Sequence, residues 1–388
     1  MRLKRETLIE LFHFSRTLLV LPFSLIARRR YPNVWIITER HNQARDNGYC
    51  FFQYMKLNHP KQPVYYVIDK KSSDYAKVSA YGDVISFNSW KHYFYYCLSP
   101  IHISAHVGGC LPENNRFAKR LKPILNYKDV FIPHGVSYGI ANFCLEKYAK
   151  IDLYICCGKP EYDNVLKNYG YSLDQVALTG FPRQDSWLNL RIKNNQILLM
   201  PTWRLYIAQD KDVVFENTEY YRAYQQLINN IELITFLQRN HLKLVFYPHH
   251  EMQKYTYLFH TPSENIEIVY DEKTHDIQEL LKESSLLITD YSSVHFDFAY
   301  MEKPVIYYQF DQSAFYSMQY AQGEFSVEKN GFGPVVDSVD KLMRALQDSF
   351  DTGFSLSGTY FDRMRCFFAY HDTQNCSRVY EEIKKRWR

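Results

Sequence analysis

The stretch from Leu286 to Tyr308, LLITDYSSVHFDFAYMEKPVIYY, limits the possible folds of this chain more than any other part of the sequence. Its apolar start, Leu286–Ile288, is followed by a polar turn, a segment with apolar residues at the helical period, and a second apolar run, Val305–Tyr308. This order predicts a strand, a tight turn, a helix and a strand, which is one βαβ step of a parallel sheet. The turn, Thr289–Ser293, would then lie at the carboxyl edge of the sheet, where open α/β folds bind ligands.

The polar turn itself allows two interpretations. Ser292 or Ser293 is expected to cap the following helix, because the amides of the first turn have no partner within the helix. The same amides, the two hydroxyls and the positive end of the helix dipole also suit a phosphate group. We interpret the turn as the seat of the diphosphate of an activated nucleotide donor. The simpler alternative is a well-capped helix without a ligand.

Apolar runs of strand length recur along the chain and alternate with helical patterns. The predicted strands before residue 190 are 34–37, 64–68, 83–86, 101–104, 131–132 and 153–156, and those after it are 197–200, 244–246, 266–269, 286–288 and 305–308. This alternation is typical of parallel sheets covered by helices on both faces. A chain of 388 residues is about right for two domains, and a polar link follows Thr179–Arg183. We therefore expect two doubly wound, Rossmann-like domains facing a cleft, at 32–190 and 191–360, and a C-terminal helix at 361–388.

The first thirty residues carry seven basic and two acidic side chains, whereas the whole chain has a net charge of +4. Apolar residues of this segment fall on one helical face, as shown by Leu8, Leu11, Phe12, Leu18 and Leu19. Its apolar stretch 17–27 is eleven residues long, which is shorter than the roughly 20 needed to cross a bilayer. Residues 1–31 are therefore predicted to be an amphipathic helix lying on the anionic cytoplasmic leaflet. The alternative is a helix packed on its own domain. The nearly neutral remainder argues against binding to nucleic acid.

Four predicted strand ends carry side chains suited to phosphate chemistry: His134, Arg204, His249, and Asp290 with Ser292 and Ser293. A guanidinium offers a forked donor for a pyrophosphate. His249 can donate to a phosphate oxygen, and His134, followed by Gly135, can take a proton from an attacking hydroxyl. Each histidine, considered alone, is equally consistent with a structural role.

Other motifs exclude common classes of enzyme. The sequence has no GxGxxG, GxxxxGK[ST] or GxSxG motif, which removes the usual dehydrogenase, NTPase and hydrolase interpretations. The DxD pattern at Asp210–Asp212 lies in a polar stretch, and a solvated loop is the preferred interpretation. His249, His250 and Glu251 lack the i, i+4 spacing of a zinc helix, so no metal site is predicted. The eight cysteines form no CxxC pair, as expected for a chain in a reducing cytosol.

The segments FIPHGVSYG, GFPRQD, MPTWR, YPHH and LLITDYSSVHFDFAYMEKPVIYY occur in this order, and together they resemble the CDP-glycerol glycerophosphotransferase family of teichoic-acid and capsule synthesis. The resemblance covers about residues 32–385 and implies a GT-B-like pair of domains, the first on the acceptor side and the second binding the CDP-linked donor. It implies transfer of glycerol phosphate, or of a related polyol phosphate such as ribitol phosphate, to a hydroxyl of a lipid-linked or glycan acceptor, with release of CMP. CDP-glycerol or another CDP-polyol is the co-substrate, no other cofactor is implied, and the enzyme would be peripheral to the cytoplasmic membrane surface.

The resemblance also assigns roles to individual residues. Those expected near the transferred proton and the leaving group are His134 as base, Gly135 beside it, and His249. Those expected to bind or support the donor are Thr202, Arg204, Thr289, Asp290, Ser292 and Ser293. The sequence departs from the family pattern at Tyr247, which replaces the first histidine of a His-Pro-His motif, and at His371–Asn375, a weakened form of a C-terminal Asp-Gly segment.

Two rival functions fit the same sequence. One is a GT-B glycosyltransferase that uses a nucleotide sugar, and a panel of CDP- and UDP-linked donors separates it from the leading hypothesis. The other is a membrane scaffold that binds nucleotide without turnover. The presence of both His134 and His249 favours an enzyme, because a binding protein needs no base.

Overall fold

The computed structural model describes residues 5–114, 116–188, 195–209, 214–271, 274–318, 325–356 and 358–387. They form two compact units, the first comprising Met1–Asp185 and Ala369–Arg388 and the second comprising Ser186–Phe368. The predicted domain boundary at 190/191 and the DxD pattern at 210–212 lie outside the described residues.

The first unit is built on a seven-stranded sheet with the order β3-β2-β1-β4-β5-β6-β7. All neighbouring strands in it are parallel. Its strands are β1 Trp35–Thr38, β2 Val64–Ile68, β3 Val84–Ser86, β4 Ile101–Ser104, β5 Lys128–Phe131, β6 Leu153–Cys156 and β7 Val176–Leu178. Its helices up to residue 185 are α1 Arg5–Arg28, α2 Asn47–Asn58, α3 Tyr75–Ser79, α4 Trp90–Leu98, α5 Arg116–Lys119, α6 Lys122–Leu125, α7 Glu146–Ala149 and α8 Lys159–Asn168. Short 3-10 helices cover Pro112–Asn114, Asn142–Cys144 and Pro182–Ser186.

The second unit is built on a six-stranded sheet, again wholly parallel, with the order β10-β9-β8-β11-β12-β13. Its strands are β8 Gln196–Leu199, β9 Lys243–Phe246, β10 Ile266–Ile268, β11 Leu286–Thr289, β12 Val305–Tyr308 and β13 Val335–Val336. Its helices are α9 Leu205–Gln209, α10 Glu219–Ile228, α11 Ile231–Arg239, α12 Ile277–Glu283, α13 Val294–Tyr300, α14 Gln312–Met318, α15 Val327–Asn330, α16 Val339–Asp351 and α17 Gly358–Phe367. Short 3-10 helices cover Phe215–Asn217 and His250–Leu258.

The predicted pair of parallel-sheet α/β domains is confirmed, as is the βαβ step formed by β11, α13 and β12. Every residue of these two strands and of the helix between them is buried. Strands covered on both faces read as continuous apolar runs, which is why the sequence pattern located them. The short strands β7 and β13 were not predicted.

The end of the chain differs from the prediction of one C-terminal helix over 361–388. The structure has two helices, α17 and a last helix, α18, at Asn375–Arg386. The carboxylate of Asp185 accepts hydrogen bonds from the backbone N–H groups of Asn375 and Cys376, both at 2.8 Å. This side chain caps α18 and attaches it to the first unit, a contact between distant residues that local periodicity does not reveal.

Helix α1 runs without a break from Arg5 to Arg28 and includes Pro22. By length and composition alone, its part from Glu6 to Arg28 is apolar enough to cross a membrane, so the eleven-residue count understated it. One face packs on α4, where Thr17 and Ser24 are fully buried and the Ser24 hydroxyl donates to the Phe94 carbonyl at 3.0 Å. The predicted apolar face points to solvent, since its five residues are exposed: Leu8, Leu11, Phe12, Leu18 and Leu19.

Candidate functional site

The second unit has the strand order of a doubly wound fold, with its switch point between β8 and β11. The chain leaves these two neighbouring strands in opposite directions across the sheet, which opens a crevice at their carboxyl ends. The segments that follow them are Met200–Arg204 and Asp290–Ser293. The sequence motifs MPTWR and TDYSS therefore meet at the position where such folds bind ligands.

A buried ion-pair network joins these segments. The Arg204 guanidinium donates to both carboxylate oxygens of Asp311, from Nε at 2.6 Å and from Nη2 at 3.0 Å. Its Nη2 also lies 2.9 Å from Oδ2 of Asp290, and the side chains of these two residues are fully buried. Asp311, three residues after β12, was not singled out from the sequence, although an acidic residue just after a strand end was the available signal.

The Asp290 carboxylate ties together the segments after β8 and β11. It accepts the backbone N–H of Thr202 at 2.8 Å and that of Tyr291 at 2.6 Å. Burial raises the pKa of Asp290, while Arg204 and these two N–H donors act in the opposite direction. The hydroxyl of Thr289 is also directed into the protein, donating to the Met200 carbonyl at 2.7 Å. Thr202, Arg204, Thr289 and Asp290 thus form the frame under the turn.

The two serines lie above this frame and are half-buried. Ser293 occupies the position before α13, but its side chain makes no capping hydrogen bond among the described residues. The hydroxyl of Ser292 accepts from the Val294 N–H at 3.5 Å, which is a weak contact. Helix α13 has only seven residues, so its dipole is small. An anion at the turn would therefore be bound mainly by the hydroxyls and backbone amides of the turn itself.

His249 lies in the same unit, after β9, which is the neighbour of β8. Its ring is half-buried and stacks on Trp203 with 6.1 Å between ring centroids and 20° between planes. The Nδ1 atom accepts the backbone N–H of Glu251 at 3.3 Å, so the proton of the neutral ring is on Nε2. His249 is therefore set as a hydrogen-bond donor through Nε2.

His134 belongs to the first unit and follows β5, with Gly135 beside it. Its Nδ1 lies 3.4 Å from the carbonyl oxygen of Ala105, which can only accept, so Nδ1 carries the proton of the neutral ring. The lone pair is then on Nε2. His134 and His249 are consequently set in opposite tautomers, the first as a proton acceptor and the second as a donor at the same ring atom.

The surroundings of His134 keep its ring neutral. His134 is exposed at the surface of the first unit, yet the protein packed around its ring lowers the pKa of the imidazole by partial desolvation. Asp46 and the Ala105 carbonyl oppose this shift. The positive charges of Arg183 and Arg40 add to it. A base must be unprotonated to act, and a lowered pKa secures that state near pH 7.

Arg183 is a neighbour of His134 in the first unit that sequence reasoning missed, although it lies in the quoted GFPRQD segment. It is buried, and its Nη1 donates to the His134 carbonyl at 2.7 Å and to Oδ1 of Asp46 at 2.5 Å. Arg183 thereby fixes the backbone that carries the imidazole. Across the described residues of both units, no group of three or more His, Cys, Asp or Glu side chains is placed to hold a metal ion.

Comparison with known proteins gives a family match over most of the chain. A model described as CDP-glycerol:poly(glycerophosphate) glycerophosphotransferase matches residues 20–385. The minor teichoic acid biosynthesis protein GgaB of Bacillus subtilis is 32% identical over 363 residues, which is 90% of this chain and 39% of that protein. The teichoic acid poly(glycerol phosphate) polymerase of Bacillus spizizenii is 28% identical over 53% of this chain and 52% of its own length. The chain thus spans about half the length, or less, of these two relatives.

Among solved structures, the wall teichoic acid polymerase TagF has a TM-score of 0.67 and covers 99% of this chain and 98% of its own, at 16% sequence identity. At this identity the likeness concerns the fold, and it confirms the predicted GT-B-like class. A functional assignment can be based on this fold, on the side chains around His134 in the first unit, and on those at the strand ends of the second unit.

Proposed function

The chain belongs to the CDP-glycerol:poly(glycerophosphate) glycerophosphotransferase family, and on this premise we propose that it transfers glycerol phosphate from CDP-glycerol to a hydroxyl of a lipid-linked or glycan acceptor. The acceptor oxygen bonds to the phosphorus that carries glycerol, the bond from that phosphorus to the bridging oxygen breaks, and CMP leaves with the electron pair. The observation that carries this proposal is the opposite tautomers of His134 and His249, because the reaction needs one proton acceptor and one donor.

In this scheme His134 accepts the proton of the attacking hydroxyl at Nε2. The contact between its Nδ1 and the Ala105 carbonyl, at 3.4 Å, supports this assignment because it leaves the lone pair at Nε2. Arg183 supports the backbone around the base through its hydrogen bond to the His134 carbonyl, and Gly135 is the next residue of that backbone. General-base assistance of this kind contributes about 10²–10⁴-fold to a rate.

The leaving group is stabilised from the second unit. The N–H at Nε2 of His249 donates to a phosphate oxygen as negative charge develops, and Ser292 and Ser293 bind the pyrophosphate with their hydroxyls and amides. The structure gives the guanidinium of Arg204 protein partners, so we assign it to holding the turn through Asp290 instead of the direct pyrophosphate contact expected from the sequence. Thr202 and Thr289 belong to the same support.

The direct test is donor and acceptor screening with the full chain. CDP-glycerol, CDP-ribitol and UDP-linked sugars are each incubated with lipid-linked and soluble glycan acceptors, and products are identified by mass spectrometry. CMP release coupled to addition of one glycerol phosphate is the expected result. Release of UDP from a sugar donor without any CMP release would replace the proposal with the glycosyltransferase alternative.

We expect His249→Ala to lower kcat by about 10²–10³, the usual cost of losing one preorganised donor to a developing anion. His249→Gln places an amide N–H near the position of Nε2 and is expected to recover at least tenfold of that loss. Both rates are measured as CMP release at saturating CDP-glycerol. Equal activity of the Gln and Ala variants would show that the role of His249 is not hydrogen-bond donation.

We further propose that α1 lies in the plane of the cytoplasmic membrane surface, with its exposed apolar face in the lipid. Its opposite face is fixed to the first unit, where the Arg28 guanidinium donates to the carbonyls of Leu98 at 2.8 Å and Cys97 at 2.7 Å at the end of α4. A helix held along one side in this way presents only its other side to a bilayer. Basic residues at both of its ends suit anionic headgroups.

This orientation predicts the effect of charges on the exposed face. Leu19 and Phe23 are 64% and 67% exposed, and replacing both with Glu is expected to reduce binding to anionic vesicles at least tenfold, measured by cosedimentation. Leu173→Glu removes a similarly exposed apolar side chain, 71% exposed, far from α1 in sequence and serves as the matched control. Vesicle binding of the double variant equal to that of the control would contradict the proposal.

A further inference from the structure

A second histidine ring lies directly against the proposed base. His106 stacks on His134 with 4.7 Å between ring centroids and 6° between the planes. The two rings come from the segments after β4 and β5, which are neighbouring parallel strands. Residue 106 follows Ala105, whose carbonyl receives the Nδ1–H of His134. One short segment therefore contacts both the edge and the face of the base.

The partners of His106 show that its ring is built to stay neutral. Nε of Arg40 donates to Nε2 of His106 at 3.4 Å, so that nitrogen carries no proton. Nδ1 is buried and has no hydrogen-bond partner among the described residues. An imidazolium needs an acceptor at each N–H, whereas His106 meets a cationic donor at one nitrogen and no acceptor at the other.

We propose that His106 is a positioning residue for His134, which rests on the function proposed above. Its neutral ring holds the plane of the His134 ring so that Nδ1–H meets the Ala105 carbonyl and the lone pair stays on Nε2. When His134 takes the acceptor's proton, the flat π face of His106 lies against the new positive charge and stabilises it, as aromatic faces do for cations.

Titration of the two rings agrees with this geometry. Burial is the main cause that lowers the pKa of His106 to about 4, and the positive charges of His134 and Arg40 contribute to the same shift. The other charged groups acting on the pair are Arg40 and Asp46, which affect both rings, and Arg183, which affects His134. His106 meets a cationic donor at one nitrogen and, within the described part of the chain, no acceptor at the other, so the proton of the stacked pair goes to His134.

The first test is kinetic and compares three variants. His106→Ala removes the face, and kcat is expected to fall about tenfold, between the values of an exposed and a desolvated cation–π contact, with the KM for CDP-glycerol unchanged. His106→Phe keeps a flat aromatic face and is expected to stay within about threefold of wild type. His59→Ala removes another imidazole of the same unit, stacked on Tyr380 at 3.7 Å, and is the control for loss of a stacked ring.

The kinetic outcomes separate cleanly. Loss of kcat in the Ala variant with recovery in the Phe variant supports the proposal, because a flat aromatic face without a ring nitrogen is then sufficient. Wild-type kcat in His106→Ala overturns it. A Phe variant as impaired as the Ala variant also overturns it, because a ring nitrogen would then carry the effect.

The second test needs no turnover and remains valid if the assigned reaction is wrong. The ¹⁵N shifts of histidine rings report tautomer and charge in the free, full-length protein. In wild type, His134 is expected as the Nδ1–H tautomer and His106 as neutral down to about pH 5, and His106→Ala should give mixed His134 tautomers. A wild-type His134 protonated at Nε2, or a His106 that titrates before it, overturns the proposal. Absence of CMP release in wild type with these ¹⁵N results would reject only the reaction.

Discussion

His134→Gln is expected to lower kcat for CMP release by about 10²–10⁴, the contribution of a general base. The glutamine amide has nearly the volume of imidazole and hydrogen-bonds at similar positions, but it does not take up a proton near neutral pH. KM for CDP-glycerol should change little, because the donor contacts are assigned to the second unit. The measurement is CMP release at saturating donor and acceptor, with thermal melting to verify that the variant is folded.

The pH dependence of kcat/KM is a second test of the same variant. Only the neutral imidazole accepts a proton, so wild-type kcat/KM should rise with pH through the pKa of His134. That pKa is lowered by desolvation, which places the rise below about 6.5. The rise should vanish in His134→Gln. A variant that keeps either the wild-type rate or the wild-type acid limb would show that another group is the base.

Glutamine substitutions at His134 and at His249 are expected to have different effects. Glutamine replaces a donor well and a base poorly, so it should restore activity at His249 and fail at His134. This difference follows from the opposite tautomers, because Nε2 of His249 bears the hydrogen and Nε2 of His134 bears the lone pair. Restoration by Gln at both positions would contradict the division of roles.

Arg204→Met is expected to destabilise the second unit by about 3–5 kcal/mol, the usual cost of breaking a buried ion pair from one side. Methionine fills part of the space but leaves the carboxylates of Asp290 and Asp311 buried without the guanidinium that now lies within 3.0 Å of each. A loss of this size corresponds to a fall of roughly 10 °C in the melting temperature of a unit of this length. Circular dichroism and hydrogen exchange of the β8 and β11 amides measure it.

A control variant and the pH dependence of stability both test this prediction. Arg222 is exposed, and Arg222→Met should change stability by about 0.5 kcal/mol or less. Burial raises the folded-state pKa of Asp290, so its charge destabilises the fold above that pKa, and the penalty disappears below the unfolded value near 3.9. Without Arg204 this penalty is larger, and the gap to wild type should narrow as the pH falls toward 4. An Arg204→Met protein that melts with wild type at pH 7 would show that the network is not a structural frame.

Much of the fold could be predicted from the sequence because buried strands leave a local pattern of apolar residues. Strands buried on both faces appear as apolar runs, and β2, β4, β6 and β12 begin and end at the predicted residues. The positions of His134 and His249 after their strands followed from the same reading. The short strands β7 and β13 were missed, although β3 and β10, also of three residues, were predicted, so runs of this length are an unreliable signal.

By itself, the sequence determined the two parallel sheets, the family, and the strand ends that carry the reactive side chains. Only the tertiary structure decided which partners those side chains contact and which tautomer each histidine adopts. Asp311, which forms an ion pair with Arg204, lies 107 residues away from it in the sequence. The His106 ring contacts His134 only because β4 and β5 pair in parallel. Periodicity records which residues are buried, but the tautomer of a histidine or the partner of a guanidinium depends on atoms that distant segments bring within about 3 Å.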